Sequence, residues 1–164
     1  MEGVKQVHIR KLQKEDVSPH GDFIRILEQL SASDNFKRAA CNYSTLWDQY
    51  ARQTHTHVVV ALVDPIEMLS SRPWNDRVVI GTGSIFIEQK FLRAGGIVGH
   101  LEDIVVDKTT RLSGVGRMIV NHLVEIAKDN SCYKVILNCS DHNVDFYNKC
   151  GFRWSGNEMR VNLD

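Results

Sequence analysis

The stretch RLSGVGRMIV, from Arg111 to Val120, places two glycines directly before an apolar helical pattern. Glycine has no Cβ, so backbone N–H groups in such a turn can approach a ligand closely, and those at a helix N-terminus favour an anion such as a pyrophosphate. Ile119 replaces the third glycine of the dinucleotide-binding fingerprint, and the Gly-Lys-Ser/Thr of a P-loop is missing, so neither motif is predicted. From the glycines alone, a helix that merely begins with them is an equally good interpretation.

Strand and helix patterns alternate on both sides of this turn. Apolar residues at helical spacing predict helices, and β-branched runs bounded by polar residues predict strands. Gly95 and Gly96 separate two such runs, so the third and fourth strands are predicted to form an antiparallel hairpin. Residues 1–164 are therefore predicted to form a single α/β domain. Its predicted elements are a strand in 4–12, helices in 23–30 and 43–50, a strand in 56–64, a loop in 65–76, strands in 77–91 and 97–107, a helix from 115 to about 130, a strand in 133–139, a helix in 142–150 and a closing strand in 158–163.

The composition limits the classes of partner. The chain has 164 residues, with 20 Lys and Arg against 20 Asp and Glu, and its net charge is zero. Because it has no long-range field to hold a polyanion, neither nucleic acid nor a membrane is expected as a partner. The charged N-terminus has no apolar signal segment, and the four cysteines form no C-x-x-C pair, which predicts buried thiols in a cytoplasmic protein. His55 and His57 have no cysteine or carboxylate close by in sequence, so no metal site is predicted.

A family resemblance adds to this interpretation. The pattern R-x-x-G-x-G after a buried strand, followed by another strand and NVDFYNKCGF, resembles the core of the Gcn5-related N-acetyltransferase superfamily. Together with GHLEDIVVD, CYKVIL and IEQK, it looks like the branch of that superfamily that acetylates glucosamine 6-phosphate. These motifs cover roughly the second half of the chain, and the first half matches only in the order of its elements.

The resemblance implies a fold, two substrates and an assembly. The fold is a central mixed, mostly antiparallel sheet flanked by helices, with a splayed strand pair that holds the cofactor. The substrates are acetyl-CoA and glucosamine 6-phosphate, which would make the chain an acyltransferase of UDP-N-acetylglucosamine biosynthesis. The closing strand would pair across a two-fold homodimer with shared active sites, where an expected arginine is replaced by Asn162, with Arg160 as a substitute.

The resemblance also implies how the cofactor is bound. Backbone groups of 104–106 would pair with the pantetheine, because an extended amide chain can complete an open strand edge, and the glycine turn would hold the pyrophosphate. Tyr147 lies four residues after Asn143, on the same helix face, and its phenol can donate a hydrogen bond or proton to the departing thiolate. Helical spacing alone predicts a core aromatic equally well. The residues predicted to bind the cofactor are Ile104, Val105, Val106, Arg111, Leu112, Ser113, Gly114, Val115, Gly116, Arg117, Asn138, Asn143 and Tyr147.

The acceptor is predicted to bind beside an acidic pair. Glu102 and Asp103 are adjacent in a strand, so their side chains are expected on opposite faces, and the resemblance assigns them to the sugar. An exposed pair at a strand end is the alternative. Asn138 stands where the resemblance expects a carboxylate, and an amide cannot act as a base, although its carbonyl could orient the amine; His100 is a further base candidate. The residues predicted to be catalytic are Tyr147, Glu102, Asp103 and Asn138, and those predicted to bind the acceptor are Ser31, Lys90, Phe91, Leu92, Arg93, Glu102, Asp103, Ile104, Tyr133 and Lys134.

The predicted mechanism is direct transfer in a ternary complex, without a metal or a covalent enzyme intermediate. Catalysis through a cysteine nucleophile is one rival. Another is a protein or peptide N-acetyltransferase on the same scaffold, which would not need Lys90, Arg93 and Lys134. The third is a non-catalytic domain that binds coenzyme A for regulation.

Overall fold

The computed structural model describes residues 6–18, 21–30, 42–63, 78–110 and 112–163. Within these ranges the chain forms a sheet, flanking helices and short 3₁₀ turns at Lys14–Asp16, Glu28–Leu30 and Asp141–Asn143. The strands are β1 (Val7–Lys11), β2 (Thr56–Val63), β3 (Val78–Gln89), β4 (Ile97–Val106) and β5 (Cys132–Ile136). The helices are α1 (Asp22–Leu27), α2 (Tyr43–Ala51), the single turn α3 (Leu92–Gly95), α4 (Val115–Asp129) and α5 (Val144–Lys149).

The sheet is mixed and mostly antiparallel, as predicted. Its strands lie in the order β1-β2-β3-β4-β5, and the first three neighbouring pairs are antiparallel. The predicted hairpin between β3 and β4 is therefore confirmed. β4 and β5 are parallel and are connected through α4, since parallel neighbours need a crossover.

Two apolar cores cover the two faces of the sheet. One face packs against α1 and α2, and the other packs against the apolar side of α4. Gly83 of β3 lets α4 approach closely, because a Cβ there would lie 2.6 Å from Cδ1 of Ile104 and 2.8 Å from Cγ2 of Ile119. This contact fixes α4 against the same part of β4 that leads into the glycine turn.

The parallel strand pair is splayed. β4 and β5 are paired from Ile97 and Cys132 to His100 and Ile136, but β4 continues to Val106 with only β3 beside it. Among the described residues, no strand pairs with this side of β4 beyond His100. The free edge exposes main-chain groups that an extended ligand can bind, and the predicted splayed pair is confirmed.

Residues 158–163 pair with none of the described strands of their own chain. The closing strand was predicted to pair across a dimer, which a single chain does not test, so it stays a prediction. Two predictions about β5 and its surroundings were wrong. β5 ends at Ile136 rather than at Cys139, because its pairing with β4 stops there. Cys139, beyond this end, is exposed rather than buried, and Cys132 and Cys150 are only partly buried. The predicted loop at 65–76 and Cys41 lie outside the described residues. None of the helices in the described ranges is long and apolar enough to cross a membrane.

Candidate functional site

A cleft of about 340 Å³ opens where β4 separates from β5. One wall is the end of β4, the second is the start of α4, and the third is the start of α5. Most of the residues predicted to bind the cofactor line this cleft. Its lining residues are Ile104, Val105, Val106, Leu112, Gly114, Val115, Gly116, Asn143, Phe146 and Tyr147.

The start of α4 offers this cleft main-chain amides that have no partner inside the helix. The first hydrogen bond inside the helix runs from the N–H of Met118 to the carbonyl of Gly114, at 3.0 Å. The N–H groups of the preceding helical residues have no such partner, as at every helix start, and α4 has no acidic residue in its first turn. A Cβ on Gly116 would lie 3.2 Å from the ring of Phe146, so glycine keeps this side of the cleft open. The arrangement suits an anion, as the sequence predicted.

Gly114 is required by its backbone conformation. Its φ of 84° lies in the left-handed region, and no atom lies within 4 Å of the position of an added Cβ. We expect Gly114→Ala to destabilise the fold by about 1–2 kcal/mol through backbone strain alone, which lowers Tm by roughly 2–8 °C in a domain of this size. Thermal unfolding followed by circular dichroism measures this change.

Gly156→Ala is the matched control for this prediction. Gly156 is exposed, has no positive φ and has open space around its Cβ position. Its Tm should equal that of the unmodified chain. An equal loss of Tm in both variants would contradict the assignment of strain to Gly114.

Tyr147 closes the far end of the cleft. Its ring packs edge-on against Phe146, with centroids 4.9 Å apart, and against Phe152 at 6.0 Å. Its hydroxyl forms no hydrogen bond with the part of the chain that the structure describes. Burial raises the pKa of the phenol above 10.0, and the nearby Cys139, Cys150 and Glu102 act in the same direction. Tyr147 is therefore protonated at neutral pH and can donate a hydrogen bond into the cleft.

The acidic pair lies at a β-bulge in β4. Asp103 has a φ of 53°, and the register of β4 on β3 shifts between the pairs Ser84–Glu102 and Thr82–Val105. The regular alternation that predicted opposite faces for the two carboxylates therefore does not hold, because a bulge inserts an extra residue. Glu102 and Asp103 are both exposed, and Glu102 lies close enough to Tyr147 to influence its pKa.

A second polar group lies at the other end of β3 and β4. Oε2 of Glu88 accepts a hydrogen bond from Nζ of Lys90 at 2.5 Å and lies 2.8 Å from Nε2 of His100. The contacts with Lys90 and His100 hold the pKa of the Glu88 carboxyl below its ordinary value. His100 contacts Glu88 and does not line the cleft.

Cationic side chains collect around the ring of Tyr133 at this end. The guanidinium carbon of Arg93 lies 4.8 Å from the ring centroid, and Nζ of Lys134 lies 5.7 Å from it. Arg93 belongs to α3, where it and Ala94 have positive φ values, so this turn directs the loop back toward β5. The structure thus brings together Arg93, Tyr133 and Lys134, which the family resemblance predicted to bind the acceptor.

The remaining predicted residues are exposed or lie outside the described ranges. Ser113 and Arg117 are exposed beside the helix start, and Asn138 is exposed beyond β5; none of them lines the cleft. Phe91 and Leu92 project from the hairpin, with 106% and 71% exposure. Ser31 and Arg111 lie outside the described residues.

Sequence reasoning missed two residues of this region. Phe146 lines the cleft, and its position beside Tyr147 in the motif NVDFYNKCGF was the available signal. Glu88 pairs with Lys90. Residues two apart in a strand lie on the same face, which gave only a weak indication of this pair.

The described part of the chain contains no group of three His, Cys, Asp or Glu side chains arranged to hold a metal ion.

Comparison with known proteins gives a consistent set of similarities. Residues 24–152 match the model of the acetyltransferase (GNAT) family. A probable glucosamine 6-phosphate N-acetyltransferase 2 from Oryza sativa subsp. japonica is 39% identical over 155 residues, which are 94% of this chain and 87% of that protein. The glucosamine 6-phosphate N-acetyltransferase of Schizosaccharomyces pombe is 46% identical over 82 residues, 50% of this chain and 74% of that protein. The crystal structure of glucosamine-6-phosphate N-acetyltransferase from Arabidopsis thaliana has a TM-score of 0.78 and 31% identity, and covers 97% of this chain and 99% of that one.

Proposed function

Since the chain belongs to the acetyltransferase (GNAT) family, we propose that it transfers the acetyl group of acetyl-CoA to the amine of glucosamine 6-phosphate. The product is N-acetylglucosamine 6-phosphate. The observation that carries this proposal is the cleft beside the free edge of β4, which ends at a glycine-capped helix start and at Tyr147. The chain is similar over 94% of its length to a probable glucosamine 6-phosphate N-acetyltransferase, and this similarity supports the choice of substrate.

The residues present in the cleft fit acetyl-CoA. The free edge of β4 at 104–106 offers main-chain groups to the amides of the pantetheine. The amides at the start of α4, which have no partner inside the helix, suit the diphosphate, and Gly116 leaves the space that a Cβ would occupy. When bound, acetyl-CoA supplies an acetyl thioester whose leaving group is a thiolate.

Tyr147 is assigned to the leaving group. The raised pKa of its phenol exceeds that of an ordinary thiol, near 8.5. Complete transfer of the phenol proton to the thiolate is therefore unfavourable. We assign Tyr147 to donating a hydrogen bond that strengthens as negative charge develops on sulfur.

The acidic pair and the cations are assigned to the acceptor. None of the side chains lining the described cleft is a carboxylate or an imidazole, and Glu102 is the carboxylate close enough to influence Tyr147. We assign Glu102 to binding the amine and accepting its proton, directly or through water, and Asp103 to the sugar. Arg93, Lys134 and Lys90 are assigned to the 6-phosphate, because cationic donors bind a dianion well.

A cysteine nucleophile is less favourable in this structure. Burial raises the pKa of the Cys150 thiol, which lowers the fraction present as the reactive thiolate. Cys139 is exposed, beyond the end of β5, and does not line the cleft.

The reaction is tested by following thiol release from acetyl-CoA. The acceptors are glucosamine 6-phosphate, glucosamine and a lysine-containing peptide, and one arm contains no amine. We expect release with glucosamine 6-phosphate, much less with glucosamine, and N-acetylglucosamine 6-phosphate by mass spectrometry. Preference for the peptide would support a protein acetyltransferase. Coenzyme A binding without release in any arm would support a regulatory domain, and acetylated enzyme in the amine-free arm would support a cysteine mechanism.

We also propose a homodimer with shared active sites. Met159, Val161 and Leu163 alternate with polar residues and are 95%, 80% and 90% exposed. An alternating apolar segment of this kind can complete a sheet in a second copy. Replacing Val161 and Leu163 by lysine should convert a dimer into a monomer in sedimentation equilibrium, whereas Asn162→Ser should leave the mass unchanged. A monomeric parent chain at micromolar concentration would contradict the proposal.

A further inference from the structure

Asp107 is a buried charge immediately after β4. Its exposure is 5%, and among the described residues it is the one charged side chain that is buried. Burying a carboxylate is costly unless it is paired and hydrogen-bonded. Its partners therefore indicate what this residue holds in place.

Both carboxylate oxygens of Asp107 are bonded. Oδ2 accepts a hydrogen bond from Nη2 of Arg25 at 2.6 Å. Oδ1 accepts hydrogen bonds from the N–H and the hydroxyl of Thr109, each at 3.0 Å, and from Nε2 of Gln29 at 3.3 Å. These contacts hold the pKa of the carboxyl well below its ordinary value, with the Arg25 hydrogen bond as the largest cause. The carboxylate therefore connects α1 and the 3₁₀ turn after it to the turn that follows β4.

The main chain of this turn is held at each successive residue. The N–H of Asp107 donates to the carbonyl of Ile80 at 2.9 Å, and the N–H of Thr110 donates to the carbonyl of Asp107 at 2.9 Å. Between them, the N–H of Lys108 donates to Oε1 of Gln29 at 3.0 Å, and that of Thr109 donates to the Asp107 side chain. Residues 107–110 are thus held in one fixed path where they leave the β4 wall of the cleft.

We propose that Asp107 is a positioning residue for the diphosphate of coenzyme A. With Arg25 and Gln29 it fixes residues 107–110, which directly follow the free edge of β4 and precede the start of α4 in the chain. The separation of these two walls decides whether one ligand can pair with the strand edge and reach the helix amides together. The inference rests on the proposed function, because coenzyme A is the ligand that would span both walls.

The test compares Asp107→Asn with the parent chain by calorimetry and steady-state kinetics. The amide keeps the size of the side chain but removes its charge, and in either orientation its NH2 group faces a donor, from Arg25 or from Thr109 and Gln29. We expect the Kd for coenzyme A and the KM for acetyl-CoA to rise about tenfold, the loss expected when one charge-assisted contact is weakened. The kcat at saturating acetyl-CoA and the KM for glucosamine 6-phosphate should change less than about threefold, since Asp107 contacts neither reacting group.

The KM for S-acetylpantetheine distinguishes a role at the diphosphate site from a general structural role. This compound carries the thioester and the pantetheine but no diphosphate. If Asp107 positions the diphosphate site, Asp107→Asn should raise the KM for acetyl-CoA and leave that for S-acetylpantetheine unchanged. A general loosening of the cleft would raise both values and would overturn the proposal.

Asp16→Asn is a matched control. Asp16 has 9% side-chain exposure, forms two hydrogen bonds with Arg10 at 2.7 and 2.9 Å, and accepts the N–H of Gln13 at 2.8 Å. It also caps a turn but does not line the cleft. We expect Asp16→Asn to lower stability without changing the Kd for coenzyme A. An equal rise of Kd in this control would overturn the proposal.

Gln29→Met covers the case in which Asp107→Asn does not fold. It retains an unbranched side chain of similar length and removes the contacts to Asp107 and to the N–H of Lys108. We expect a smaller rise, about two- to fivefold, in the Kd for coenzyme A, and an unchanged value would overturn the proposal. If the parent chain itself bound no coenzyme A, the proposed function would fail, whereas binding that is equal in parent and variants would refute the positioning role alone.

Discussion

Replacing Tyr147 by phenylalanine is expected to lower kcat by about ten- to ten-thousandfold. The substitution removes the hydroxyl, which is the group that can donate to the leaving thiolate, and keeps the ring against Phe146 and Phe152. Because the two side chains have nearly the same shape, Tm should change little. The Kd for coenzyme A should also change little, since the interaction develops mainly in the transition state. Thiol release followed over time measures kcat, and calorimetry measures the Kd.

Tyr43→Phe is the matched control for this result. It makes the same chemical change on α2, at a buried ring that lies outside the cleft. Its kcat should remain within about twofold of the parent value, as expected for a group with no contact to the thioester. Full turnover in Tyr147→Phe would remove Tyr147 from the mechanism and favour a different donor to sulfur.

The helix start was predictable because its signal is local. Glycine without a Cβ, a short turn and an apolar helical pattern are all visible within RLSGVGRMIV, and Gly114 indeed adopts a left-handed φ. The free edge of β4 is different, because it depends on where β5 stops pairing. Only the family resemblance predicted it, since no pattern within either strand records the length of their pairing.

The acceptor side depends on tertiary register, which sequence periodicity does not contain. Alternation predicted opposite faces for Glu102 and Asp103, but the bulge at Asp103 interrupts it. The pairing of Glu88 with Lys90 and His100 likewise requires the register of β3 on β4. The closing segment at 158–163 has a clear alternating pattern, yet it forms no strand in the single chain, because a strand needs a neighbouring edge as well as a pattern.

The phosphate of the acceptor gives the second large prediction. Lys134→Glu is expected to raise the KM for glucosamine 6-phosphate by about a hundredfold, because it removes a charge-assisted hydrogen bond and adds a repulsive carboxylate. Lys134 and Arg93 both lie over the Tyr133 ring, so the reversed charge also attracts Arg93 away from the phosphate. The KM for glucosamine, which lacks that group, should change less than about threefold.

Lys128→Glu separates this effect from a general change in charge. Lys128 is exposed on α4 and pairs with Glu125 at 2.6 Å, so the variant has the same net charge as Lys134→Glu but leaves the cation cluster intact. Its KM for glucosamine 6-phosphate should match that of the parent chain. The comparison also decides between acceptor classes, because a protein or peptide acetyltransferase has no need of a cation at Lys134. Equal activity of both variants on glucosamine 6-phosphate would therefore contradict the assignment of the phosphate to the surface formed by Arg93, Tyr133 and Lys134.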